Sequence, residues 1–269
     1  MYTFSSKLKT FSFILMLLGA LGIGYGFFTA PKDIQEVETI LSAETHHEGG
    51  SNAHEAHAIE ENAAQAAEKH KEHLEHVLHQ LQNKPWAAVY VACIFFMLIS
   101  LGVLAFYAIQ QVAQAGWSPV LFRVMQGITA YLPVGSILFF VFLILCGLHF
   151  NHLFIWLDPE VVASDKIIAN KSGYLNFPFW IIRAAIFLLG WNAYRYFSRK
   201  NCLAQDEAND NSFYKKNFNI SAMFLVFFIV TESIMSWDWI MSIDPHWSST
   251  LFGWYVFASF FVSGITTIC

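Results

Sequence analysis

Two carboxylic acids stand inside an apolar stretch of this chain. The sequence is apolar from Ile220 to Val230, passes through Glu232, Ser236, Asp238 and Asp244, and turns apolar again from Leu251. Carboxyl groups within a lipid-spanning segment cost about 2.5–3.5 kcal/mol each on insertion scales, so they mark functional or packing roles. Counting back from Asp244 along a helix puts Asp238 about 9 Å and Glu232 about 18 Å below the outer surface. Counting inward from Asn176 puts Arg183 about 10 Å deep, the height at which it faces Asp238. Helical spacing sets Thr231, Asp238 and Ser242 on one stripe, and Glu232 with Ser236 on another.

Two chemistries fit these residues. In one, Arg183 pairs with Asp238, Glu232 bonds a neighbouring hydroxyl, and the groups only specify helix packing. In the other, a desolvated Glu232 exchanges protons near mid-membrane, and Asp238, Asp244, His149 and His152 lead outward. Residue chemistry alone leaves the two level. A third arrangement makes His149, His152 and Asp158 one wall of a quinol-head pocket.

The elements that must position these groups are membrane helices. A hydrophobic fraction of 56% with 13% charged residues indicates an all-α integral membrane protein. The net charge of −5 comes mostly from residues 31–84, which also hold most of the histidines, and no basic stripe argues for nucleic acid. No C-x-x-C or C-x-x-C-H occurs; Cys93 and Cys146 lie in apolar runs, Cys202 in a basic loop, and Cys269 ends the chain. No histidine lies deep in a span, and His149, His152 and His246 cluster at one surface, so a bound haem is disfavoured.

Six spans are expected. Residues 1–30 hold the first, whose apolar core is longer than that of a signal peptide and favours a retained helix of about 20 residues. Residues 31–84 form an extramembrane segment, helical from Ala53 to Gln82, with Leu74, Val77, Leu78 and Leu81 on one stripe. Its His70, His73, His76 and His79 precess around the helix, which suits a solvated, partner-facing surface better than a metal site. The bundle, residues 85–269, supplies spans at Trp86–Tyr107, at Val120–Leu148 with a kink at Pro133, at Phe177–Tyr196, and on either side of the Asp244 corner. The end of the sequence inside an apolar run suggests further helices beyond Cys269. Lys7, Lys9 and the cluster Arg195, Arg199, Lys200, Lys215 and Lys216 fall on one side, the cytoplasmic one, which leaves residues 31–84 outside. Asp158-Pro159 and Asp244-Pro245 each end an outward-going helix, a weak internal echo.

The run Ser236-Trp237-Asp238-Trp239-Ile240-Met241-Ser242-Ile243-Asp244-Pro245-His246-Trp247, continuing to Tyr255, resembles the ActF-type membrane subunit of bacterial alternative complex III. So do Leu148-His149-Phe150-Asn151-His152-Leu153-Phe154-Ile155-Trp156 and the stretch from Gly173 to Arg183. The resemblance covers roughly residues 85–269. It implies an NrfD-like (polysulfide-reductase-like) fold of about ten helices built on four-helix bundles, of which this chain holds the first bundle and a peripheral N-terminal helix. It further implies a bacterial inner-membrane complex that oxidises quinol. Partner subunits would carry the haem c and iron–sulfur clusters, and a related NrfD-like subunit the quinol. This subunit would bind no redox cofactor and would contribute a proton path, which falls on Glu232 and Asp238 with Arg183, His149, His152, Asp244, Thr231 and Ser236 in support. That implication tips the balance between packing and proton path modestly toward the path.

Overall fold

A computed structural model describes residues 5–47 and 63–269, and every regular element among them is helical. Among the described residues, five helical stretches are long and apolar enough to cross a membrane, and a shorter apolar helix follows them. The chain divides into two compact units, Met1–Val89 and Tyr90–Cys269.

In the first unit, α1 (Ser6–Thr29) starts at an N-cap, where the Ser5 hydroxyl accepts from the Leu8 amide, and it buries none of its residues. A helix apolar on every face is what a lipid environment favours. After Pro31 the chain enters α2 (Ile34–His47), whose first turn is tied by the Glu36 carboxylate accepting from the Lys32 amide at 2.9 Å. Gln82 donates to the Pro31 carbonyl at 3.2 Å, and Trp86 meets Phe27 edge-on. The helix expected from Ala53 lies outside the described residues up to position 62, as do the side chains of His70, His73 and His76.

The expected break between that helix and the second span is absent. One 50-residue helix, α3 (Ala63–Val112), runs straight through Pro85. Proline in a helix interior forfeits a hydrogen bond at about 3 kcal/mol, but long apolar helices tolerate it when packing holds the flanks.

The second unit is built on the rest of α3 and the seven helices that follow it among the described residues. The stretch after Gly116 is a tight turn at Ser118–Leu121, then α4 (Phe122–Ile128), another tight turn at Thr129–Tyr131, and α5 (Leu132–Gly147). The interruption falls immediately before Pro133, which the sequence marks as the kink. Two short helices follow, α6 (Pro159–Ser164) and α7 (Lys166–Lys171), then α8 (Phe177–Glu207), α9 (Ser212–Trp239) and α10 (Phe252–Ile268). Here too a boundary moves. The sequence ends the fourth span near Tyr196, but α8 continues for another three turns, because Lys, Arg, Gln and Leu are good helix formers outside the bilayer as well as in it. Cys202, read as a loop residue, is therefore helical.

Helix α8 packs on α5 and α9, and α9 packs on α10. Helices α3 and α10 meet through glycines. A methyl on Gly264 would lie 2.9 Å from the Val103 amide nitrogen, and one on Gly102 would strike the Phe260 carbonyl. Small residues let backbones approach where water supplies no hydrophobic drive. The core at one end is aromatic: Tyr90, Phe139, Phe154, Trp156, Trp180 and Trp239 interlock at ring-centroid distances from 4.7 to 6.0 Å. These tilted and edge-on contacts suit the ring quadrupoles.

Candidate functional site

Helix α9 stops at Trp239, and that stop organises the polar chemistry. The last carbonyls of a helix have no partner within it. Here they are answered from other elements. The Asp238 carbonyl accepts from the Trp180 indole at 2.9 Å and from the Ser242 hydroxyl at 2.6 Å, and the Trp239 carbonyl accepts from the Tyr90 hydroxyl. Trp180 belongs to α8 and Tyr90 to α3, so three helices are pinned at one level.

The Asp238 side chain completes the lock. Arg183 Nε donates to Oδ2 at 2.6 Å and Nη2 to Oδ1 at 3.0 Å, a two-point fork between planar groups. The third arm of the guanidinium, Nη1, donates to the Tyr174 carbonyl at 3.2 Å, and its carbon lies 4.0 and 4.3 Å from the Tyr174 and Phe179 ring centres. Asp238 is fully buried and Arg183 nearly so. Burial, followed by the charge of the Asp238 carboxylate, holds the Tyr174 phenol above the usual tyrosine range. Thr231, one stripe with Asp238, accepts from the Trp191 indole at 3.0 Å and returns its proton to the Phe227 carbonyl.

Glu232 stands apart from this lock. Six residues before Asp238, it is rotated by about 240° and so presents to a different side of α9. One carboxyl oxygen meets the Ser233 hydroxyl at 3.3 Å, and the other is buried with no partner among the described residues. Ser236, grouped with it on the same stripe, is fully buried but donates to the Ser233 carbonyl at 2.8 Å. Ser233 likewise bonds the Ile229 carbonyl at 3.3 Å. The hydroxyl contacts of Ser233 and Ser236 are thus local to α9, and they do not join Glu232 to Asp238.

The outward candidates have other work. His149 follows α5 with φ 60°, while its amide bonds the Cys146 carbonyl and the Phe150 amide reaches back to Leu145. That pair of bonds around a left-handed residue is a Schellman helix stop, in a position glycine usually fills. His149 and His152 are both exposed. Asp158 caps α6 by accepting from the Glu160 amide at 3.0 Å, and exposed Asp244 accepts from the His246 amide at 3.1 Å in the same way. The Asp-Pro echo therefore has a local geometry: a tight turn at Ile155–Leu157 or Met241–Ile243, an extended Asp, and a side-chain bond two residues on. These bonds give the Asp158 side chain and the His149 backbone a part in setting the direction of the chain. The two loops they flank are clamped together, since His246 Nε2 lies 2.5 Å from Asp165 Oδ2 and Lys171 donates to the Pro245 carbonyl at 2.6 Å. The His246 bond, first, and the Ile167 amide hold the Asp165 carboxyl below its usual range.

A second buried polar cluster escapes the sequence. The Tyr107 hydroxyl is ringed by Gln111 Nε2 at 3.0 Å, Ser198 Oγ at 3.2 Å, Asn217 Nδ2 at 3.3 Å and Gln126 Nε2 at 3.4 Å. All five residues are buried, and four separate helices supply them. Ser198 lies in the part of α8 past Tyr196, the expected end of the span, where hydropathy gives no sign of an inward face. Glutamines at 110 and 111 closing an apolar run were the available signal. Between this cluster and Glu232 lie Phe224 and Phe228, both buried.

No protein-family model matches the sequence, and no curated protein matches it significantly.

Proposed function

We propose that this chain is a membrane-embedded subunit of a bacterial respiratory quinol:electron-acceptor complex of the alternative complex III type, in which Glu232 takes up and releases the proton of a transmembrane route. On this reading six helices span the inner membrane, the N-terminus is cytoplasmic, and residues 31–84 meet partners in the periplasm. Haem c and iron–sulfur clusters belong to partner subunits, and a related NrfD-like subunit holds the quinol. The resemblance of the tryptophan-rich corner motivates the assignment to this complex.

One observation carries the role of Glu232: a carboxyl 5% exposed, with one oxygen lacking a partner among the described residues and the other meeting a serine hydroxyl. A group kept for packing is expected to have its hydrogen bonds filled, as those of Asp238 are. Asp238 and Arg183 accordingly serve as the fixed frame, with Thr231 and Ser236 as fillers of helix carbonyls. The test is proton release per electron in the complex reconstituted into vesicles. Glu232→Gln should lower it while quinol oxidation continues. An unchanged ratio would return the chain to a second reading, an anchor whose Arg183–Asp238 fork simply holds helices for partner subunits.

A further inference from the structure

The outer faces of α4, α5 and α8 form a groove that the proton-route reading does not use. Its upper part is a cavity of about 530 Å³ walled by Ile137, Phe140, Val141, Leu188 and Leu189 and reaching Arg195. Ile137 and Leu189 are 65% and 71% exposed on its rim, which is lipid-facing in a membrane-embedded bundle. Its lower part is a cavity of about 360 Å³ with Arg123, Gln126, Arg199 and Asp206 in its walls. Residues 192, 195, 199, 203 and 206 recur at three- and four-residue steps, so one face of α8 lines both parts.

The charges in the groove do not balance. Asp206 is the only acid in these walls, and Arg123 takes it in an ion pair while also bonding Gln126 at 2.8 Å. Arg195 and Arg199 have no ion pair among the described residues, and the Arg195 Nε is buried without a partner. Arg195 stands 18 residues after Phe177, which is about 27 Å along the helix, the far edge of a hydrocarbon layer about 30 Å thick. An apolar channel thus runs into two unpaired guanidinium groups at the depth of lipid phosphates.

The geometry points to an anionic phospholipid seated in this groove, its phosphate on Arg195 and Arg199 and an acyl chain along Ile137, Val141 and Leu189. Basic pockets between spanning helices recognise such headgroups through charge, and the apolar wall adds burial of the chain. A soluble phosphate would use only the lower part, and a neutral quinone would leave the pair of arginines unanswered.

The experiment is native mass spectrometry of the full chain in detergent, titrated with phosphatidylglycerol, phosphatidylcholine, glycerophosphate or a short-chain quinone. Saturable binding of phosphatidylglycerol is expected. It should weaken roughly tenfold or more in Arg195→Gln/Arg199→Gln, because each basic residue adds to headgroup attraction. Arg195→Lys/Arg199→Lys should keep most of it, which separates charge from folding damage. Val141→Trp, which fills the channel and leaves both arginines, should also abolish binding. Equal binding of phosphatidylcholine, full affinity in the glutamine variant, or displacement by glycerophosphate or the quinone overturns the proposal.

Discussion

Asp238 and Glu232 lie on the same helix, both buried, six residues apart, and the protein treats them in opposite ways. Asp238 receives a two-point fork from Arg183, and even its backbone carbonyl has two donors. Glu232 has one serine hydroxyl on one oxygen and, among the described residues, no partner on the other. The difference is between a group whose every bond opposes change and a group whose bonds leave room for it. Burial alone does not distinguish them. Satisfaction does, because a buried polar atom without a partner carries its full desolvation cost.

The contrast breaks most visibly at Arg183. Replacing it with leucine leaves a buried carboxylate unpaired, and the expected loss is about 3–5 kcal/mol of stability, read from unfolding of the detergent-solubilised chain. Pairing that change with Asp238→Leu should recover much of the loss, since two apolar groups remove the orphan. Glu232→Gln should cost far less, and comparable losses at the two acids would erase the distinction.

Tyr107 extends the comparison to a second, well-bonded cluster. Tyr107→Phe strands the donors of Gln111, Gln126 and Asn217, and a loss of about 1–3 kcal/mol is expected in the same unfolding measurement. His149 tests whether an outward histidine is there for its ring or its backbone. Because α5 ends on it in a left-handed conformation, His149→Gly should stabilise the chain by a few tenths to about 1 kcal/mol. A deficit in its place would show that the ring matters. The smallest effect concerns the Asp165–His246 clamp. The folded Asp165 carboxyl titrates below its unfolded value, so its contribution is present above the ordinary carboxylate range and is lost as pH falls through the lowered value. Faster amide exchange around residues 244–250 in that acid window, but not in Asp165→Asn, is the expected sign.

Much of the frame is legible in the sequence, for physical reasons. Arg183 and Asp238 can be matched in height because a helix rises uniformly, and both lie a countable distance from polar corners. Pro133 announces its kink through its missing donor. What stays hidden depends on continuity or on neighbours. Hydropathy marks where the bilayer ends and not where the helix ends, so it places the end of α8 at Tyr196 and does not reveal the inward Ser198. Pro85 looks like a boundary and is not one. The Tyr107 cluster is made of neutral side chains from four helices, and no spacing within one segment reveals it. His149 draws attention by its ring; its left-handed backbone, which a sequence does not display, adds a part in ending α5.

The most direct test of the contrast between the two acids is infrared difference spectroscopy of the proposed respiratory complex during quinol-driven turnover, following the carboxyl stretching band of a protonated acid. A proton carried on Glu232 gives a band that changes with turnover, disappears in Glu232→Gln and persists in Asp238→Asn. A band that survives in Glu232→Gln, or one that depends on Asp238, would contradict it.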